Sequence, residues 1–508
     1  MSRGRPRGAA GRGALSAGRP LLQRWALGCL LALALALQAA GCASYTTRLR
    51  ELRPAASQGD WAGALAQVEK KGRPGELLYH LERGALLRYA GSYAESNEEL
   101  DRAAQRLDEL YTISLSQRGL TFLLSDESED YRGEVHEGNY LHYLRVLNYL
   151  ELGDRRAAAV EARRLAQRLA FVADTQAGRP AARGDPFLHY LSGAVLEDEG
   201  EWNHALVSYR LALEGWSDPG SACGGEAPAW LAGDLARAAV RAGVSLEEIG
   251  LGDLAASRPV APREGKAGTL LLFFESGWAP MKTSEHLRLP IFAHDPEWRG
   301  EDGARAGGAV LAQRVRHRRE RGEWAAEPAK VAYFLDVALP LLGPARPGAA
   351  ECRASLLPLD GEAALGGAFE TRTAAAPAIE ARTAAAPMSD LACRVRDAFA
   401  ADEAGVIVKT IARALLKYWT ARKAEKQGGP LAGILANIAG VATEKADTRA
   451  WLMLPSRILG ARLELPPGRY RLRLEARDGE GRVVESGTRE IQVDADARTL
   501  IAWRSFAL

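Results

Sequence analysis

Cysteine is the residue type whose chemistry this chain declares most sharply. The sequence has five: Cys29, Cys42, Cys223, Cys352 and Cys393. None stands in a Cys-x-x-Cys pair, so neither a zinc ribbon nor a thioredoxin-type redox site is encoded. Cys352 with Cys393 is a possible disulfide on a spacing that matches no known framework. Gly-x-Ser-x-Gly, His-Glu-x-x-His, Gly-x-x-x-x-Gly-Lys-Ser/Thr and Gly-x-Gly-x-x-Gly are all absent. Glu275, Lys282 and His286, around Gly277-Trp278-Ala279-Pro280-Met281, form the one polar cluster beside a strand end. Its Gly and Pro make it read as a turn. The acidic run Ser125–Asp130 lacks the spacing and glycine of a calcium loop and reads as solvated. No catalytic residue, metal or cofactor is expected, and the chain reads as a non-enzyme.

Cys42 is different because of what precedes it. Arg3, Arg5, Arg7, Arg12, Arg19 and Arg24 lead into an uncharged stretch, Trp25 to Ala40, ending in Ala39-Ala40-Gly41-Cys42. A positive lead, an apolar run and small residues at the cut describe a secretory signal over residues 1–41. The apolar run is about 16 residues, short of the roughly 20 that a membrane span needs. A Cys behind a small-residue triplet resembles the bacterial lipobox, which implies lipidation at Cys42. Ala43 and Ser44 carry no acidic retention signal, so the expected location is the outer membrane, facing the periplasm. The formal net charge of +2 is nearly neutral and implies no nucleic-acid partner.

The rest of the chain falls into two halves. Tyr140-Leu141-His142-Tyr143-Leu144 and Phe187-Leu188-His189-Tyr190-Leu191 are almost the same pentapeptide, each trailed at one offset by a glycine, Gly153 and Gly200. Aligning on that glycine recovers further units at Gly91 and Gly59. The best units place small residues where helices cross (Gly84, Gly193, Ala205), a glycine turn, an aromatic opening the second helix, and large rings such as Tyr149 and Tyr209. This resembles the tetratricopeptide repeat, and residues 42–250 are expected to be a TPR-like helical solenoid whose concave face holds a protein partner. His80, His142 and His189 recur at one repeat position, which keeps the rings apart and argues against a metal cluster.

After Gly250 the period changes. Gly268–Glu275 and Val331–Val337 are short β-forming runs, and Arg469–Ala476 alternates cleanly between Arg/Glu and apolar residues. Residues 265–508 are read as a β-sandwich-like domain, antiparallel throughout. A low-complexity loop at 343–387, a solvated basic insert at 297–327 and a helical insert at 389–445 interrupt it. In that last insert Val408, Ile411, Leu415, Tyr418 and Trp419 share one face, expected to pack on the sandwich. The fold class is thus α+β and multidomain.

Gly138–Leu165, Glu275–Lys282, Ala414–Trp419, Asp447–Pro455 and Leu465–Leu472 together resemble a family of uncharacterised bacterial lipoproteins with a repeat-like front and a β-rich back. The resemblance implies no reaction. It implies a lipid-anchored envelope scaffold or adaptor, serving envelope assembly, secretion or polysaccharide and cell-wall biogenesis. The membrane would be met through lipidated Cys42. A hydrolase or ligand-binding lipoprotein with its site in the β-rich half is the alternative.

Overall fold

The computed structural model describes residues 45–116, 130–250, 252, 267–322, 324, 330–359, 385–428 and 446–507. The expected signal segment, residues 1–41, and Cys42 lie outside them. So do 117–129, with most of the acidic run, and 360–384 and 429–445.

Left-handed glycines punctuate the first half. Gly59, Gly91, Gly153 and Gly200 have φ of 72, 85, 75 and 74°, a backbone that glycine alone adopts without strain. Each separates two helices: α1 (Leu52–Ser57) from α2 (Trp61–Lys71), α3 (Leu77–Tyr89) from α4 (Tyr93–Ser116), α5 (Val135–Glu151) from α6 (Arg155–Thr175), and α7 (Pro186–Asp198) from α8 (Trp202–Ser217). In two of these turns an aspartate after the glycine caps the second helix. Asp60 accepts from the N–H of Gly63 and Asp154 from that of Ala157, both at 2.9 Å. Where paired helices cross, side chains leave no room: a Cβ on Gly84 would sit 2.7 Å from Leu100, and one on Gly193 would sit 2.7 Å from the Tyr209 ring. Ala205 is fully buried in the same crossing, and Tyr149 packs partly buried against the core. A further helix, α9 (Leu231–Ala242), closes the row.

The second half centres on β1 (Gly268–Ser276), buried along its whole length. It is paired on both edges, by β6 (Arg457–Leu465) and by β9 (Arg498–Ser505), in a sheet ordered β5-β6-β1-β9 with β5 at Ala386–Ser389. A second sheet, β4-β7-β8, is built from Glu351–Pro358, Gly468–Arg477 and Val483–Val493. Leu270, Leu272 and Phe274 of β1 share one core with Leu472, Leu474 and Val493 of that sheet. Leu271 and Phe273 point the other way and join the core of the helices.

Four expectations about strand direction, local structure and packing need correction, and a fifth about the disulfide follows. The sandwich is not wholly antiparallel, because β9 runs parallel to β1. After β8 the chain changes sheets at Asp494–Ala497 and enters the first sheet in β1's own direction. The low-complexity segment 343–387 contains β4, which pairs with β7 from Glu351–Arg477 to Pro358–Tyr470. The basic insert is a 22-residue helix, α10 (Gly300–Arg321), with Ala304, Leu311, Ala312 and Val315 buried. Finally, the face of α11 (Leu391–Gly428) that carries Ile411 and Leu415 packs not on the sandwich but on α10 and on a ribbon of β2 (Lys282–Phe292) and β3 (Val331–Leu342). Gly308 makes that crossing close, since a Cβ there would lie 2.7 Å from the carbonyl of Val408.

The disulfide joins Cys223 to Cys393, and Cys352 is buried and free between the sheets. Pairing Cys352 with Cys393 is thereby excluded. The bond ties the loop after α8 to the start of α11, so the two halves are joined covalently as well as by packing. Tyr45–Leu508 form one compact unit by internal contacts. No described helix is long and apolar enough to cross a membrane.

Candidate functional site

The polar chemistry of the described residues gathers at the seam between the halves. First helices of successive pairs present one face, and the irregular segment 446–456, with a turn at Leu452–Met453, lies on it, buried from Trp451 to Ser456. Its main chain is held by three side chains. Glu82 of α3 accepts from the N–H of Leu452 at 2.6 Å, and Glu137 of α5 accepts from that of Trp451 at 2.6 Å. Arg53 of α1 donates to the carbonyls of Leu452 and Ala279 at 2.8 and 2.9 Å. Burial pushes the Glu82 carboxyl up to about 8, against the hydrogen bonds from Leu452 and Tyr45 and the charge of Arg53. Burial, with the neighbouring Glu134, pushes Glu137 up to about 7. The face expected to receive a partner therefore holds the chain's own β-rich half.

Further along the seam, Arg498 of β9 donates to the carbonyl of Ala194 at 2.8 Å and to Glu197 at 3.0 Å. Asp234 of α9 accepts from Arg462 at 2.7 Å and from Arg237. Burial opposes a charge on Asp234, yet Arg498, Arg462 and Arg237 together draw its carboxyl down to about 2. Tyr140 and Ser389 meet on Asp185 at 3.0 and 2.5 Å. These are buried, paired charges, which lock a geometry more than they stabilise it.

The polar cluster picked out in the sequence is divided by the fold. Glu275 is buried at the end of β1 and accepts from Tyr143 at 2.7 Å and Tyr89 at 3.3 Å. Trp278 lies between two guanidinium groups, Arg53 at 5.0 Å and Arg504 at 4.8 Å from its ring centroid. Lys282 pairs with Glu134, and His286 lies beside Ser284 on the ribbon. Glu275 and His286 share no site, and the segment is a turn whose side chains bind the two halves.

The recurring histidines sit apart, as their spacing requires. His80 contacts Glu99 at 2.7 Å and His142 contacts Glu161 at 2.5 Å, one relation repeated in two units. The third unit has Ser208 where that glutamate would fall, and the Nδ1 of His189 has no partner. Asp397 lies 3.1 Å from the sulfur of Cys223, but the disulfide leaves no thiolate there to bind a metal.

Sequence reading missed Glu82, Glu137, Arg53 and Arg498. The available signal was a charged residue interrupting the apolar face of a helix or strand, as at Leu81-Glu82. Such a residue must find a buried partner.

No family model matches the chain, and no curated protein does. Among solved structures it is similar to a crystal structure of MamA protein, at 15% identity and a TM-score of 0.25, covering 43% of this chain and 96% of that one. A second MamA structure, of AMB-1, gives 13% identity and a TM-score of 0.23, covering 42% and 91%. A likeness at such scores carries no argument about function.

Proposed function

We propose that the chain is a lipid-anchored scaffold or adaptor of the cell envelope. It would be acylated at Cys42, held on the outer membrane facing the periplasm, and built on TPR-like repeats. The observation that carries this reading is the peptide already seated on the helix array. Glu82, Glu137 and Arg53 grip the main chain of Trp451 and Leu452, so the array carries side chains placed to hold the backbone amides and carbonyls of a docked segment. Because that face is filled in cis, a protein partner would meet a composite of both halves. The Cys223–Cys393 disulfide supports an oxidising compartment. No reaction is assigned to the chain, and the partner's pathway would be envelope assembly, secretion or cell-wall biogenesis.

Crosslinking in the native envelope, with identification of the captured chain, tests the adaptor role. One defined partner captured reproducibly by the folded chain supports it, and capture of none counts against it. Fractionation tests the anchor: Cys42→Ser releases the protein from the membrane or leaves an uncleaved precursor. An unmodified Cys42 in the mature protein ends the lipoprotein reading.

A further inference from the structure

Tyr45, the first described residue, is firmly held. It is 5% exposed, and its hydroxyl donates to Glu82 of α3 at 3.2 Å. Tyr45–Arg48 form one turn of helix, the carbonyl of Tyr45 accepts from the N–H of Leu49 at 3.1 Å, and Leu49 is buried. Only Ala43 and Ser44 separate Tyr45 from Cys42. Three steps of fully extended chain span at most about 11 Å. A lipid on Cys42 has its acyl chains in the hydrocarbon, and the headgroup layer above them is itself about 5–7 Å deep. So short a leader gives no free tether, and the end of the array that carries Tyr45 is brought onto the membrane surface.

The hairpins show which residues share that end. α1 and α2 turn back at Gly59, so the chain entering α1 and the chain leaving α2 lie together, and α3 starts beside them. A Cβ on Gly72, just after α2, would meet the Tyr79 ring of α3 at 2.9 Å. The stretches 45–51 and 70–76 therefore form one surface. They carry Arg48, Arg50, Lys70, Lys71 and Arg73 against Glu51 and Glu76, a surplus of three positive charges. Arg50 pairs with Glu51 and Arg73 with Glu76, each at 3.1 Å. Lys71 bonds the neutral Gln67 at 3.0 Å, and Lys70 is exposed with no acceptor among the described residues. This surplus runs against the rest of the chain: without the six arginines of the expected signal, the formal net charge falls from +2 to −4. We propose that this end of the helix array faces the bilayer and lies on anionic lipid headgroups, with Lys70 and Lys71 against them. The proposal rests on acylation at Cys42 and adds an orientation to it. Three surplus charges attract a chain only weakly to an anionic surface, so the lipid holds the protein and the basic end turns it.

Fluorescence quenching tests this on the acylated full chain, in vesicles of phosphatidylcholine and phosphatidylglycerol with a nitroxide on some headgroups. One fluorophore is placed by Pro74→Cys, at an exposed position of this end. Another is placed by Val240→Cys, 68% exposed in the last turn of α9, where Arg241 covers the Trp202 ring at the opposite end of the hairpins. Cys352 is buried and stays unlabelled. The label at 74 should be quenched several-fold more than the label at 240. Lys70→Glu combined with Lys71→Glu should shrink that ratio, with circular dichroism unchanged. Equal quenching at the two positions, or stronger quenching at 240, overturns the orientation. A ratio that survives both the charge reversal and vesicles of phosphatidylcholine alone overturns the headgroup contact. Mass spectrometry of the same sample separates the two readings. An unmodified Cys42 removes the anchor and this proposal with it, whereas an acylated Cys42 with equal quenching removes the orientation alone.

Discussion

Glu82 and Leu452 are 370 residues apart in sequence, and the N–H of Leu452 donates to the Glu82 carboxylate at 2.6 Å. Together with the bond from Trp451 to Glu137, this makes a pair of buried carboxyls the latch between the helix array and the β-rich half.

That latch has a definite pH dependence. Burial raises Glu82 from 4.5 to about 8 and Glu137 from 4.5 to about 7. A carboxyl raised in the folded state favours folding most below its unfolded pKa, and the contribution is lost as pH rises through the folded value. His136 and His189 are held down to about 4 by burial, so their cost to folding is absent above 6.5 and grows as pH falls toward 4. Above pH 6.5 only the carboxyl pair among these groups changes. Urea denaturation should therefore show stability falling between pH 6.5 and about 8.5, and Glu82→Gln should flatten that fall. An unchanged slope in the variant assigns the latch no such role.

Helix crossings set a steric limit that substitutions can probe. Ala205→Leu should overpack the contact between α7 and α8 and cost about 1–3 kcal/mol. Gly193→Ala should destabilise in the same direction, because its Cβ meets the Tyr209 ring at 2.7 Å. Gly233→Ala in α9 meets nothing within 4 Å and serves as the control. Denaturant midpoints measure all three.

Thiol chemistry separates Cys223, Cys352 and Cys393. Replacing Cys393 by Ser should cost about 2–4 kcal/mol, the usual worth of a disulfide that closes a long loop. Cys352 is buried, and burial pushes its thiol up to about 12. It should resist alkylation until the chain unfolds, so labelling of the native protein, read by mass spectrometry, finds no adduct there.

For α11 the expected result is internal packing. Leu415 is fully buried against α10 and the β2–β3 ribbon, and Tyr418 stacks on Tyr333 at 4.0 Å. Leu415→Asp should lose more than about 3 kcal/mol through a buried charge and a lost side chain. The lipid-free protein should stay at the bottom in a liposome flotation gradient. Flotation that depends on Leu415 assigns this face to a membrane instead.

Much of the helical half was legible because its signals are local. A glycine with positive φ between two periodic runs marks a hairpin whatever surrounds it, and Gly59, Gly91, Gly153 and Gly200 all behave so. The alternation of Arg469–Ala476 was equally plain, since one face is wet. Hidden features were those set by distant partners. β4 lay in an Ala/Pro-rich stretch and is a strand because β7 offers it an edge. Helix α10 looked solvated because its many Arg and Glu residues mask the Ala, Gly, Leu and Val that make its buried stripe. The partner of Cys393 stands 170 residues away and could be named only by the fold. Glu82 and Glu137 were invisible as a pair, because nothing in either helix announces an acceptor for main chain that arrives hundreds of residues later.

That separation sets an order of assembly. The helices before Gly243 can form as the chain emerges, from contacts close in sequence. Their inner face, with Phe187, Tyr143 and the two carboxyls, has no cover until β1, then 446–456 and finally β9 arrive. During this interval the array is an open apolar trough, vulnerable to wrong partners and to proteases. A chain truncated before Ala446 should stay in that state for good, aggregating or holding on to chaperones, although every helix of the array is present.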